Sequence, residues 1–479
     1  MYRKLLLVLS AGLLFSFSEK VQQGSVQTPV QHPNIIFVFI DDMGYGDLPI
    51  YGNTGVQTPN IDKLAKEGMR FTQFYVNAPI CSPSRVAVTT GQYPLRWNIT
   101  SFLADSTRNI NRGMAQYLDP KAPSLARILQ HAGYYTAHVG KWHLGGQRNV
   151  HGAPMISEFG FNASLTSFEG LGERMGWLFE THEWKGSHRF PLSVEQEKLG
   201  HGDVTWIKRY QETQLYVDRA LAEIQKAQDK NQPFYINLWP SDVHIPIEAP
   251  PALRGDGSIQ SQYLGVITEL DKQLGRLFEH IRNHPQLRDN TIILLSSDNG
   301  PCAEVGSSGG LRGRKGQLYE GGIREPLIVW APGKIKSSMM GTVNRNTVLA
   351  GMDIPPSFLS VAGVETPDSI KFDGLNMKNV WFGESTGKRE HPVMWVRPPE
   401  IKGGSKHKLK DLAIREGKWK LLIDVNGSGA ELYDIESNPV ETINLAEKKP
   451  EITSQLKTKV LNWFHEIRSD SAASAKPWK

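Results

Sequence analysis

Cysteine is almost absent from this chain: two in 479 residues, Cys81 and Cys302. Two thiols cannot build the disulfide framework that holds many small secreted domains together, and at most they make one Cys81–Cys302 bridge. Long apolar runs are equally scarce. Leu5 to Phe17 is one, but it is too short to cross a bilayer, and no later stretch is long and apolar enough, so no membrane span is expected. An excess of one charge is missing too. The 54 basic residues stand against 49 acidic ones, a formal net charge of +5. Nucleic-acid binders gather basic residues into a dense patch, and this balance excludes that class; a weak preference for anionic substrates is all it allows. The basic run Lys402, Lys406, His407, Lys408 and Lys410 could touch a polyanion, but reads rather as a solvated loop. No repeat or low-complexity tract is present.

What is there begins with a leader. Arg3 and Lys4 precede the apolar run, and small residues follow at Ser16 and Ser18, the pattern of a secretory signal over residues 1–18. The mature protein is therefore expected to be exported, periplasmic or secreted. The remaining length predicts one large domain over residues 33–385 and a smaller one over 386–479. Residues 35–40 form a continuous apolar run, the mark of a strand covered on both faces. Thr58-Pro59 opens a helix that Gly68 closes, and Ser124 opens another that ends at Gly133. Strands are expected at residues 134–139, 234–239 and 291–296, with a helix over 211–227. This alternation predicts an α/β fold with a mostly parallel sheet flanked by helices. After residue 385 the pattern changes. A strand at 391–397, a hairpin of 412–416 with 419–423, a strand at 431–435 and a helix over 450–468 predict a smaller antiparallel sheet with one helix.

The chemistry collects where the parallel strands end. Asp41 and Asp42 follow the first, Lys141 and His143 follow the strand at 134–139, Asp242 and His244 follow 234–239, and Asp298 and Asn299 follow 291–296. Ligands of open α/β sheets bind beyond the carboxyl ends of the strands. Any one of these residues read alone is more often a cap or a turn; four strands delivering charge to one edge form a site. Asp41, Asp42, Asp298 and Asn299 are hard oxygen donors, which favours calcium or magnesium over zinc. With Lys141, His143, His244 and Lys315 beside them, the set suits transfer of an anionic, tetrahedral group. Cys81 stands at the start of a short helix, whose free N–H groups also favour anions. By itself it reads equally as a small buried residue or as half of the bridge with Cys302.

Cys81-Ser82-Pro83-Ser84-Arg85, followed by Thr89-Thr90-Gly91, resembles the signature of the type I, formylglycine-dependent sulfatases of the alkaline phosphatase superfamily. Gly140 to Gly145 ("GKWHLG"), Asp298-Asn299-Gly300 and Lys315 to Pro326 ("KGQLYEGGIREP") are similar to further blocks of that family, in the same order. The resemblance covers about residues 33–335 and implies an alkaline-phosphatase-like α/β domain with a small C-terminal domain. It also implies that Cys81 is converted to 3-oxoalanine (formylglycine) by a formylglycine-generating enzyme that reads the Ser-Pro-Ser setting before folding. Asp41, Asp42, Asp298, Asn299 and the modified residue 81 would hold a calcium ion. The formylglycine hydrate would attack sulfur, with Arg85 steadying it. Lys141 and Lys315 would bind the sulfate, His244 would protonate the leaving alcohol, and His143 would take the proton that lets sulfate depart. Few cysteines and a secretory signal within this family imply a bacterial enzyme acting on a sulfated polysaccharide or oligosaccharide. Arg148 and His151, just past the Lys141–His143 loop, are expected to touch the sugar. The aromatic-rich stretch 171–210 offers either sugar-stacking faces or plain core. A phosphonate or phosphate monoester hydrolase of the same superfamily, and an inactive glycan-binding homologue, are the alternatives.

Overall fold

A computed structural model of the chain describes residues 32–145, 152–167, 171–180, 189–198, 201–302, 305–397 and 409–470. The leader at 1–18, Arg148, His151, Trp184, His182, His188 and the basic run from Lys402 to Lys408 lie outside the described residues. Residues His32–Lys479 gather into one compact unit.

The central sheet contains β1 (Asn34–Ile40), β2 (Met69–Tyr75), β3 (Tyr135–Gly140) and β4 (Ala163–Leu165). A separate two-stranded sheet pairs β5 (Arg174–Leu178) with β6 (Val204–Lys208). The central sheet resumes with β7 (Phe234–Trp239), β8 (Thr291–Ser297), β9 (Arg324–Trp330), β10 (Val343–Asn344) and β11 (Leu349–Ala350). Its order is β10-β2-β9-β8-β1-β7-β3-β4, with β11 also on β2. All these neighbours pair in parallel except β9, which runs antiparallel to both β2 and β8. The mostly parallel sheet expected from the alternation of elements is thus present.

The apolar run at 35–40 is continuous because β1 is central and both faces are covered. Ile36, Val38 and Ile40 pack into one core cluster; Ile35, Phe37 and Phe39 pack into the other. The first cluster is shared with α4 (Glu212–Asp229) and α5 (Ile259–Asn283), and also receives α1 (Pro59–Glu67). The second is shared with α2 (Cys81–Thr90) and α3 (Leu125–His131). Side chains alternate across a strand with period two, so one sequence run feeds both layers. Burial of β1 from end to end leaves only its carboxyl terminus, at Asp41, to carry chemistry.

Two local expectations gain detail. Ser124 opens α3 as expected, and its hydroxyl donates to Phe159 O at 2.6 Å, tying the helix start to a distant turn. In residues 171–210, Trp177, Phe179 and Phe190 belong to the core, while Trp206 lies half-exposed beneath Arg189.

After a short helix α6 (Glu320–Ile323), which precedes β9, the chain ends in a second sheet. It orders β12 (Val393–Val396), β13 (Leu412–Glu416), β14 (Trp419–Ile423) and β15 (Glu431–Asp434), all antiparallel, covered by α7 (Pro450–Asp470). Its apolar residues join the same core cluster as Phe37 and Phe39. Among the described residues no helix is long and apolar enough to cross a membrane.

Candidate active site

The site is assembled from the ends of four strands and the start of one helix. β1 and β8 are adjacent and parallel, with Ile40 paired to Ser297, so the residues after each emerge side by side. Asp42 N–H donates to Asp298 Oδ1 at 3.1 Å, and Asp298 N–H donates to Ile40 O at 3.2 Å. Asp42 takes a left-handed backbone (φ 59°), a conformation aspartate tolerates better than most residues. On the other side, Gly140 ends β3 at φ 126°, where an added Cβ would meet Trp239 O at 2.1 Å. Only glycine lets the chain turn there, and the next residue is Lys141.

Cys81 is the first residue of α2, and all ten residues of that helix are buried. Pro83 fits its first turn, where no intrahelical N–H is required. One turn on, Arg85 points back at the strand ends. Its Nε and Nη2 donate to Asp298 Oδ2 at 3.1 and 2.7 Å, its Nη1 donates to Lys141 O at 2.8 Å, and Nη2 lies 3.4 Å from Asp41 Oδ1. The guanidinium also sits over Phe39 and Trp239, so a fully buried cation is satisfied on its edges and faces.

Two lysines complete the ring. Lys141 Nζ lies 2.7 Å from Asp41 Oδ2, and Lys315 Nζ lies 2.5 Å from Asp42 Oδ1. His244 Nε2 faces Asp42 Oδ2 at 3.7 Å, while its Nδ1 donates to Ile245 O at 2.5 Å. His143, also left-handed (φ 54°), lies with Nε2 at 3.2 Å from Leu103 O. A carbonyl only accepts, so Nε2 of His143 carries the hydrogen and Nδ1 is the basic nitrogen of the neutral ring.

Charge balance within this ring leaves something over. Asp41 Oδ1, Asp42 Oδ2 and Asn299 Oδ1 are buried and accept no hydrogen bond. Buried oxygens are nearly always satisfied, so three such atoms at one edge demand an electropositive partner. One ligand atom each from Asp41, Cys81 and Asp298 lies within 4.8 Å of the others, and the same holds for Asp42, Cys81 and His244. These oxygen donors fit a hard divalent cation, with residue 81 in its immediate surroundings.

The electrostatics follow from burial. Burial opposes ionisation of Asp41, but Lys141, His244 and Arg85 outweigh it and hold that carboxyl well below the usual range. Asp298 is raised to about 7, by burial first and then by the charge of Asp41. His244 is lowered to about 4 and His143 falls well below its usual value, both chiefly through desolvation. The Cys81 thiol is pushed up to about 12 by burial. An unmodified thiol here is therefore protonated at neutral pH and a poor nucleophile.

Asp41, Asp42, Cys81, Arg85, Lys141, His143, His244, Asp298, Asn299 and Lys315 thus converge around one edge. Asp242 does not join them: it accepts from the Thr213 hydroxyl and lies behind the site. No disulfide joins Cys81 to Cys302, so the bridge is not formed. Sequence reading passed over Asp47. Its carboxylate accepts from Gly44 N, Ser307 N and Tyr263 Oη at 2.6, 2.7 and 2.6 Å, tying the loop after β1 to the loop after β8. Its only sequence signal was its place six residues after Asp41.

A family model described as Sulfatase matches residues 33–364, and one described as N-sulphoglucosamine sulphohydrolase, C-terminal, matches 314–466. The chain is 33% identical over 413 residues to N-acetylgalactosamine-6-sulfatase of Sus scrofa, covering 82% of this chain and 72% of that protein. It is 28% identical over 523 residues to N-acetylgalactosamine-6-O-sulfatase of Bacteroides thetaiotaomicron, covering 95% and 97%. The crystal structure of Ps i-CgsB in complex with k-i-k-neocarrahexaose superposes with a TM-score of 0.73 at 25% identity, covering 93% of this chain and 94% of that one.

Proposed function

The chain belongs to the sulfatase family and is a sulfuric ester hydrolase, and from that premise we propose that it removes sulfate from a carbohydrate chain using the ten residues converging on Cys81. The observation that carries this reading is the set of three unsatisfied buried oxygens beside Cys81, flanked by Lys141 and Lys315. The carbohydrate class rests on the relatives' names and on the neocarrahexaose with which Ps i-CgsB is complexed.

Asp41, Asp42, Asp298 and Asn299, with residue 81, would hold a calcium ion, whose positive charge would polarise the sulfate oxygens. Conversion of Cys81 to formylglycine would supply a hydrated aldehyde, a nucleophile that the protonated thiol is not. The remaining work falls to the chain's own side chains. Lys141 and Lys315 bind sulfate oxygens and exchange part of their contact with Asp41 and Asp42 for the substrate's charge. Arg85 keeps Asp298 and Asp41 aimed at the site while facing residue 81. His244 is neutral in the free protein; an anionic sulfate arriving beside it raises its proton affinity, and Nε2 then donates to the leaving alcohol oxygen. Nδ1 of His143 accepts the proton whose removal from residue 81 ends the cycle.

The same reading takes residues 1–18 as the export signal, a formylglycine-generating enzyme as the maturation partner, and Arg148 and His151 as sugar contacts. It also divides the chain into a catalytic part at 33–385 and a C-terminal subdomain at 386–479. The test is a comparison of p-nitrophenyl sulfate, p-nitrophenyl phosphate and phenylphosphonate ester turnover, followed by a panel of defined sulfated oligosaccharides. Sulfate esters should be turned over fastest. Preference for the phosphorus esters, or no turnover of any sulfated oligosaccharide, would overturn the proposal.

A further inference from the structure

Away from the catalytic oxygens, a groove of about 700 Å3 opens between the loop after β1, the β10–β2 edge of the central sheet and the C-terminal sheet. Arg70, Arg324, Arg345 and Lys388 line it, and Glu436 is its one carboxylate. Arg345 and Lys388 are exposed, and among the described residues neither they nor Arg70 pairs with a carboxylate. Arg70 donates to Ile50 O at 2.6 Å. Arg324 is partly committed, with Nη1 3.3 Å from Glu320. Cations gathered without matching acids repel one another, and the arrangement gains stability from an anion.

Two aromatic rings complete the wall. Tyr45 and Tyr51 meet edge to face with centroids 5.1 Å apart, and the Arg324 guanidinium lies 5.3 Å from the Tyr45 ring centre. A smaller recess shares Asn346, Lys388 and Glu436 with the groove and adds His391. That recess carries both signs, with Glu416 and Glu436 beside Lys388, Arg389 and Arg415, so the unpaired cations belong to the groove itself. Guanidinium forks match the paired oxygens of sulfate and carboxylate groups, and half-buried tyrosines offer apolar faces with polar rims. None of the residues converging on Cys81 lines either cavity. Yet Tyr45 stands three residues beyond Asp42, and Arg324 nine beyond Lys315, so the groove and the site are built from the same two chain segments.

We propose that this groove is a second binding site for a linear sulfated glycan, holding a stretch of anionic chain apart from the ester being cleaved. The glycan class rests on the carbohydrate-sulfatase reading above. Net repulsion among surface cations would serve an acidic polypeptide too, but the tyrosine faces beside the guanidinium forks favour sugar rings bearing charge.

The test uses the full-length protein and a double charge reversal, Arg345→Glu with Lys388→Glu. The probes are a fluorescein-labelled chondroitin 6-sulfate octasaccharide and, as control, poly-L-glutamate of equal charge. Wild type should bind the octasaccharide with an affinity that falls as salt rises. The reversed variant should bind it at least about tenfold more weakly, with p-nitrophenyl sulfate turnover unchanged. The Arg345→Ala, Lys388→Ala pair should show a smaller loss at unchanged Tm, which separates charge from folding. Equal octasaccharide affinity in wild type and reversed variant would overturn the groove. Polyglutamate binding as tightly, and equally sensitive to the substitutions, would overturn it in favour of an acidic protein partner. Absence of p-nitrophenyl sulfate turnover in the wild type would count against the functional reading, while octasaccharide binding still decides the groove.

Discussion

Two buried clusters of charge sit at the two ends of the segment from Lys315 to Arg324, and they are built to opposite effect. At one end Asp41, Asp42, Asp298 and Asn299 face Lys141, Lys315 and Arg85, with three oxygens left unsatisfied. At the other, Glu320 of α6 meets the C-terminal sheet. Lys420 Nζ lies 2.9 Å from both Glu320 and Glu441, Tyr75 Oη donates to Glu320 Oε2 at 2.7 Å, and Arg324 approaches at 3.3 Å. Glu441 accepts the Glu320 N–H at 2.7 Å, and Arg415 reaches both Tyr75 and Gln73. Both clusters join elements distant in sequence. The first is open to a ligand; the second is closed on itself. Glu441 Oε1 also accepts no hydrogen bond, but Lys420 Nζ stands 2.9 Å from it; what sets the open cluster apart is three such oxygens grouped at one edge beside residue 81, not burial of charge alone.

Substitutions should break this contrast in different observables. The largest effect is expected at the open cluster. Asp298→Ala should lower sulfate-ester turnover by about 10³-fold or more, the scale of several kcal/mol lost with a bound cation and its ligand geometry. Metal analysis should show the loss of stoichiometric calcium, and Tm measured in chelator should fall as well, because the buried Arg85 loses its main partner. Stoichiometric zinc in the wild type, with activity indifferent to calcium chelation, would contradict the ligand assignment. Active protein should also give a residue-81 peptide about 18 Da lighter than the cysteine form, the mass change of conversion to the aldehyde.

Next in size is His244→Ala. It should cost roughly 10² to 10⁴-fold on a sulfated sugar, whose alcohol leaves only with a proton, and noticeably less on p-nitrophenyl sulfate, whose phenolate leaves unaided. Equal losses on the two substrates would reduce His244 to a sulfate-binding group.

The closed cluster should answer in stability. Lys420→Met leaves Glu320 and Glu441 facing each other without a shared cation and should destabilise the fold by about 3–5 kcal/mol, read by denaturant unfolding. Turnover per folded molecule should change little. If Lys420→Met abolished turnover at unchanged stability, the division between the clusters would fail.

The smallest effect is on pH dependence. Burial raises Glu441 to about 7, with Lys420 opposing and the charge of Glu320 adding to the rise. A carboxyl raised on folding stabilises most below its unfolded value of 4.5, and that contribution is lost as pH rises through about 7. Glu320 has the opposite sign: the cations around it prevail over burial and lower it to about 2, so its contribution is present above 4.5 and lost only in acid. Glu441→Gln should therefore flatten the change of Tm between pH 4.5 and 7; a slope equal to wild type would place the titration elsewhere.

Most of the open cluster was legible in the sequence because Asp41, Asp42, Lys141, His143, His244, Asp298 and Asn299 stand within a few residues of a strand end, and strand ends are written locally in apolar runs; Arg85 and Lys315 stand further from one and came with the motifs around them. Ile35 to Ile40, Phe234 to Trp239 and Thr291 to Ser297 announce themselves, and Asp41, His244 and Asp298 come with them. The antiparallel course of β9 was not legible, because direction is set by a pairing with Met69–Tyr75 that lies some 250 residues away. The closed cluster was hidden for the same reason. Glu320 and Lys420 are 100 positions apart, and nothing near either residue advertises the other. Ser124 marked the start of α3 correctly, but the tertiary carbonyl that its hydroxyl meets, 35 positions away, was not legible.

The complete burial of α2 also sets a clock. Arg85 is held by Asp298, 213 positions further along the chain, and until that strand end exists the helix beginning at Cys81 has no lid. A chain growing at about 5–20 residues per second takes roughly 10–40 s to cover that distance. Any enzyme that must reach Cys81 has that interval, prolonged by whatever delay precedes docking. Slowing synthesis between these two points should raise the fraction of molecules that mature, and a host that translates and folds quickly should leave more of them inert.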